Sequence, residues 1–112
     1  MRRGEVWWAA LPPPVGRRPV LLLSRDVAYA VRANVTVAPV TRTIRNIPVE
    51  VHLSRQDGVP EECVVNLDDI LTMPKRLLEE RITTLSDGKM ALVEEAIAFA
   101  LDMGSWQGPH IA

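Results

Sequence analysis

Apolar and polar residues alternate with a strand-like period along most of this chain, and the period turns helical once, near the C-terminus. "GEVWWAAL" (residues 4–11) reads as a first strand. It sets Val6, Trp8 and Ala10 on one face and Glu5, Trp7 and Ala9 on the other. "PVLLLS" (19–24) is a second strand, apolar on both faces and so expected at the centre of a sheet. The proline run and Gly16 between them make a rigid turn. "DVAYAVR" (26–32) reads as a short helix with Asp26 as its N-cap. "NVTVAPVT" (34–41) is a third strand, and Pro39 marks it as an edge or a bulge. "IPVEVHLS" (47–54) alternates cleanly, which directs Ile47, Val49, Val51 and Leu53 inward and Pro48, Glu50 and His52 outward.

"CVVNL" (63–67) follows as a fifth strand and "RITTL" (81–85) as the last. Between them "MPKRLLEE" (73–80) reads as a short helix, because proline suits a first helical turn. After Ser86, a candidate N-cap, Met90, Val93, Ile97, Ala100 and Leu101 recur at three- and four-residue spacing. That is an amphipathic helix of roughly four turns. The tail, residues 104–112, carries Gly, Ser and Pro and is expected to fray, leaving residues 1–103 as one domain. Strands in series closed by one long helix imply a small, curved, mostly antiparallel sheet or barrel with a C-terminal helical cap.

Composition narrows the class. The 112 residues suffice for one core but not two. No apolar run approaches the roughly 20 residues of a membrane span, and no apolar segment follows the basic start "MRRGEVWW" as a signal peptide would require. Cys63 is the single cysteine, so no intrachain disulfide is expected. It fits a reducing, cytoplasmic setting, where a lone thiol mostly packs as a small apolar group.

Net charge is −1, which taken alone argues against a nucleic-acid partner, but its distribution is polarised. Residues 1–45 carry eight arginines, no lysine and two acids, for +6; residues 46–112 carry −7. An arginine fork grips phosphate with two hydrogen bonds, whereas lysine acts as a point charge. The pattern points to an anionic ligand on one face, or to the two halves pairing with each other. Arg17 and Arg18 are the sharpest instance. They stand against Pro19 at the mouth of an apolar strand, where core packing has no use for a guanidinium pair.

"RRGEVWWAAL", "RRPVLLLSRD", "VTVAPVT", "IPVEVHL" and the long run from Cys63 to Leu101 resemble, in order and spacing over residues 2–103, the MazF/PemK (Kid) family of toxin endoribonucleases. The resemblance implies a mainly β fold with one long C-terminal helix, an SH3-like antiparallel β-barrel of the MazF/PemK/CcdB type. It implies a homodimer that cleaves single-stranded RNA in a sequence-specific way without metal or other cofactor. The products carry a 2′,3′-cyclic phosphate and a 5′-OH, and the cleavage arrests translation and growth. It implies a MazE-like antitoxin as partner.

Two catalytic residues carry over, the arginine before Pro-Val as Arg18 and the threonine ending the third strand as Thr41. Arg17, Ser24, Arg25, Arg42 and Arg45 then become candidates to line the RNA path. The chain departs from the family in its short first loop, "PPPVG", which lacks the acid some members carry there. Arg25 also stands where an asparagine is common.

The chemistry suits these residue types. The ribose 2′-OH attacks the adjacent phosphorus, and charge builds on the phosphoryl oxygens, where fixed donors stabilise it. A surface ion pair is the plain alternative for Arg18, and an ordinary strand residue for Thr41. Trp7 and Trp8 must face opposite ways, and both are expected to pack, with stacking on a base or a dimer contact as the alternative for one of them. His52 and His110 read as surface residues, and the acid pairs Glu61–Glu62 and Asp68–Asp69 lack the His or Cys support of a metal site.

Two other functions remain open. The CcdB toxins share this fold and bind gyrase through a C-terminal Trp-Gly-Ile. The tail here reads Trp106, Gln107, Gly108 and continues, which does not match. The second is an SH3-like interaction module whose charges pair internally.

Overall fold

The computed structural model describes residues 1–104, so the expectations for Trp106, His110 and the tail from residue 105 onward lie outside the described residues. Seven strands form one antiparallel sheet: β1 (Glu5–Ala10), β2 (Arg17–Leu22), β3 (Asn34–Thr41), β4 (Glu50–Leu53), β5 (Cys63–Asn66), β6 (Leu71–Pro74) and β7 (Leu78–Thr84). A four-residue helix, α1 (Ala28–Val31), joins β2 to β3, and α2 (Asp87–Ala100) ends the fold. The spatial order is β4-β5-β3-β2-β1-β7, with β6 paired to β3 beside β5.

β2 is interior, as its two apolar faces require, and each face feeds a different core. Leu21 packs with Val6, Ala38, Val51, Val65 and Val93 in the first. Val20 and Leu22 pack with Ala9, Val35, Val37 and Met73 in the second. β1 likewise buries both faces rather than one. α2 covers the first core through Val93 and Ala96, and the Ser86 hydroxyl caps it by accepting from Lys89 N at 3.1 Å. The sheet curls into a half-barrel. Its two edges approach where Thr83 Oγ1 of β7 donates to the Asp57 carbonyl, just after β4, at 2.8 Å. No helix among the described residues is long and apolar enough to cross a membrane.

Five expectations are corrected. Asp26 does not cap α1. Val27 holds that position, and the Asp26 carboxylate instead accepts Arg3 N at 2.7 Å, tying the N-terminus to the sheet. Pro39 is neither at an edge nor in a bulge. β3 pairs with β6 over residues 34–37 and with β5 over 40–41, and Pro39 falls in the gap where the partner changes, so its missing N–H costs no ladder bond. "MPKRLLEE" is not an α-helix. Met73 and Pro74 end β6, one 3-10 turn spans Lys75–Leu77, and β7 has already begun at Leu78. Ile47 is exposed, because the chain enters β4 only at Glu50. Glu50 itself is buried, since one of its oxygens turns inward to accept the amides of Arg45 (3.0 Å) and Asn46 (2.9 Å).

Glu5 is a second buried acid. Burial alone would raise its pKa. Hydrogen bonds from the Trp7 indole (2.9 Å) and Arg2 amide (3.0 Å), the N-terminal charge and Arg81 outweigh this and hold it below the ordinary 4.5. A folded-state pKa below the unfolded one means that the stabilisation is complete above pH 4.5 and is lost as pH falls through the folded value. Stability measured from neutral pH down to about pH 3 should therefore drop more steeply for the wild type than for Glu5→Gln. Parallel profiles would remove Glu5 as a contributor to acid sensitivity.

Candidate functional site

At one end of the sheet the β1–β2 and β3 strand ends and the β4–β5 connection enclose an open groove of about 550 Å³. Strand register accounts for what lines it. β2 and β3 pair with Val20 opposite Pro39 and Leu22 opposite Val37. Extending that register by two residues sets Arg18 level with Thr41, and both line the groove.

Arg18 is half-buried, and among the described residues its guanidinium has no hydrogen-bond or ion-pair partner. Partial burial strips water from a charge that can never be neutralised, which favours an incoming anion. Thr41 Oγ1 accepts the Thr43 amide at 3.1 Å. That contact uses a lone pair and leaves the hydroxyl proton free to donate.

The other arginines of the groove are held. Arg17 Nε donates to Glu79 Oε1 of β7 at 3.1 Å, and its guanidinium carbon lies 4.3 Å from the centre of the Trp8 ring. Arg42 donates to Glu61 Oε2 at 2.8 Å, with both side chains exposed. Arg3 pairs with Glu94 at 3.0 Å outside the groove. The polarised charge is therefore partly spent on pairing between the two halves of the chain. The side chains of Arg18, Arg25, Arg32 and Arg45 keep no acid partner among the described residues.

The structure thus brings together Arg17, Arg18, Thr41 and Arg42 and leaves Ser24, Arg25 and Arg45 outside the groove lining. The Ser24 hydroxyl accepts Thr36 N at 2.8 Å and serves to align β3. Arg25 is exposed beside α1, and the backbone of Arg45 is fastened to Glu50. His52 is exposed at the polar face of β4, away from the groove.

Cys63 is buried at the groove's floor. Burial, with Asp57 and Glu61 nearby, pushes its thiol pKa up, which suits packing and not nucleophilic chemistry. Sequence reasoning missed Thr43 and Glu61 as lining residues and preferred packing for Trp8, for which base stacking was only the alternative. Trp8 alone had a signal, since two adjacent tryptophans cannot both face inward; Trp7 packs on the second core and Trp8 faces the groove.

A family profile described as "PemK-like, MazF-like toxin of type II toxin-antitoxin system" matches residues 2–101. The chain belongs to that family. Its relatives include a probable endoribonuclease MazF2 of Mycobacterium tuberculosis, 48% identical over 92 residues that cover 80% of this chain and 87% of the relative. Among solved structures, M. tuberculosis toxin MazF-mt6 superposes with a TM-score of 0.81 at 35% identity, covering 88% of this chain and 96% of the other. An endoribonuclease in complex with its cognate antitoxin, from a mycobacterial species, gives 0.81 at 27% identity over 97% and 99% of the two chains. In this MazF-family chain the first loop is short, residues 11–16, and supplies no acid to the groove.

Proposed function

We propose that this protein is the toxin of a toxin–antitoxin pair, a cytoplasmic endoribonuclease that cuts single-stranded RNA at particular sequences without a metal ion. What supports the reading is the half-buried Arg18, without a partner among the described residues, in one groove with the Thr41 hydroxyl, in a chain whose relatives are named endoribonucleases. In the reaction the ribose 2′-oxygen forms a bond to the adjacent phosphorus and the bond from phosphorus to the 5′-oxygen breaks. One proton leaves the 2′-oxygen and one arrives at the 5′-oxygen, so no external reagent is consumed. Negative charge grows on the two non-bridging oxygens. Arg18 holds one or both through its fork, and Thr41 donates its free proton to the second. Arg42 draws the RNA backbone toward the groove once Glu61 releases it, an exposed pair being cheap to open.

The partner in this reading is a cognate antitoxin of MazE type with an acidic segment that folds along the basic groove and displaces RNA. The active assembly is a homodimer. A gyrase-poisoning function of CcdB type leaves the presence of Arg18 and Thr41 in one groove without a purpose and is the less supported alternative.

The test is purified protein with RNA in the presence of a chelator. Fragments bearing 5′-OH ends are expected, protection on adding the antitoxin, and a solution mass twice the 12.5 kDa of the chain. RNA left whole, with gyrase trapped on DNA, would move the function to the second reading.

A further inference from the structure

Arg17 is built differently from Arg18, and its surroundings say what it is for. Three strands contribute to it. β1 places the Trp8 ring under one face of the guanidinium, 4.3 Å from centroid to guanidinium carbon. β7 places Glu79 against its Nε at 3.1 Å. β2 carries it to the groove mouth, with Ala10 its cross-strand partner. Ala10 is too small to cover it, and the Arg17 side chain remains 53% exposed. The ion pair holds one edge of the guanidinium at Nε and offsets part of its charge, and the indole supplies a second restraint that Arg42 lacks among the described residues. A phosphate clamp needs full charge and free donors, which is the situation of Arg18. A guanidinium set over an indole, restrained at one edge and with about half of its side chain exposed, offers a stacking surface. Bases of single-stranded RNA stack on guanidinium planes as they do on aromatic rings.

We propose that Trp8, Arg17 and Glu79 form a three-part shelf on which one RNA base, next to the phosphate held at Arg18, stacks against the open face of the Arg17 guanidinium. The shelf rests on the reading of the groove as an RNA site. It is a specificity element: a purine covers more of the plane than a pyrimidine, so the shelf selects a purine at one position beside the cut. Glu79 is a positioning residue that acts through Arg17.

The test is digestion of a randomised single-stranded RNA pool, sequencing the fragment ends to read base frequencies at each position around the cut. Wild type, Arg17→Lys, Glu79→Gln, Trp8→Leu and Trp8→Phe are compared, with a thermal unfolding curve for each. Arg17→Lys keeps the charge and loses the plane. The purine-over-pyrimidine ratio should fall about two- to threefold at a single position and hold elsewhere, because stacking prefers the larger base only modestly. Trp8→Leu should flatten the same position, Trp8→Phe should restore most of the ratio, and Glu79→Gln should weaken it in part. Combining Arg17→Lys with Trp8→Leu should flatten it no further, because either change alone dismantles the stack.

A uniform slowing of all sequences by Arg17→Lys, with an unchanged profile, would make Arg17 a phosphate contact and overturn the shelf alone. An exposed Arg-to-Lys change leaves the fold intact, so this arm stands even if Trp8→Leu unfolds the protein. An intact pool with the wild type would overturn the nuclease reading and the shelf with it.

Discussion

Arg18→Ala is expected to slow RNA cleavage about 10²–10³-fold while the unfolding transition stays in place. The expectation follows from what Arg18 lacks. No acid, carbonyl or ring among the described residues holds its guanidinium, so the fold loses no tie when it is removed. The transition state loses a charge already partly stripped of water and set at the groove wall. Arg18→Lys should recover only part of the rate, because an ammonium cannot engage two oxygens in one plane.

Thr41→Ala should cost less than Arg18→Ala, since the hydroxyl gives one hydrogen bond and no charge, whereas the guanidinium brings a full charge and two donors. It should also loosen the Thr43 turn, whose amide the hydroxyl holds. Single-turnover rates on one RNA oligonucleotide, with circular dichroism on the same samples, measure both. An Arg18→Ala protein that cuts at the wild-type rate would strip the groove of its proposed chemistry.

Gly58→Ala carries the largest expected loss of stability. Gly58 follows the 3-10 turn Arg55–Asp57 at φ +93, a conformation L side chains rarely adopt. A Cβ built there would overlap Thr83 Oγ1 and lie 2.8 Å from Thr83 Cβ. Thr83 cannot step aside, because it is β-branched and its hydroxyl donates to the Asp57 carbonyl where the two sheet edges meet. Backbone strain and overlap together should cost about 2–4 kcal/mol, which lowers the unfolding midpoint by roughly 10–20 °C in a domain of this size. Gly16 is the control. It also has positive φ, at +70, but nothing lies within 4 Å of the position a Cβ would take. Gly16→Ala should therefore cost only the backbone strain, about 1 kcal/mol. Equal midpoints for the two variants would show that the sheet edges at Gly58 and Thr83 are not in the contact described.

The sequence was most legible where one physical cause acts alone. The apolar run of β2 needed cover on both sides and so had to be interior. Helix α2 and its Ser86 cap were legible, though its inner face only in part: Val93 is buried and Met90 and Ile97 pack on the first core, while Leu101 is exposed and Ala96 and Ala98 are buried instead. It was least legible where a residue answers to a distant neighbour. Pro39 reads as an edge signal, yet it sits in the middle of the sheet because β3 exchanges β6 for β5 at that point. Glu50 alternates outward on paper but is drawn in by two loop amides. "MPKRLLEE" has helical residues, but strand pairing of β6 and β7 outbids their weak local preference.

Of the site, the chain's own order determined the candidates: arginines concentrated in the first half, one pair of them at a strand mouth, and a threonine closing the next strand. Those are matters of residue type and local spacing, and they survive reading in one dimension. Tertiary structure alone decided which candidates share the groove. Strand register brought Arg18 level with Thr41, and β7 brought Glu79 from 62 residues away to restrain Arg17. The curl of the sheet turned Trp8 into the groove, while Ser24, Arg25 and Arg45 were left outside it. Charge and hydrogen-bonding capacity belong to a residue, whereas partnership depends on distance, and distance is set only when the sheet has closed.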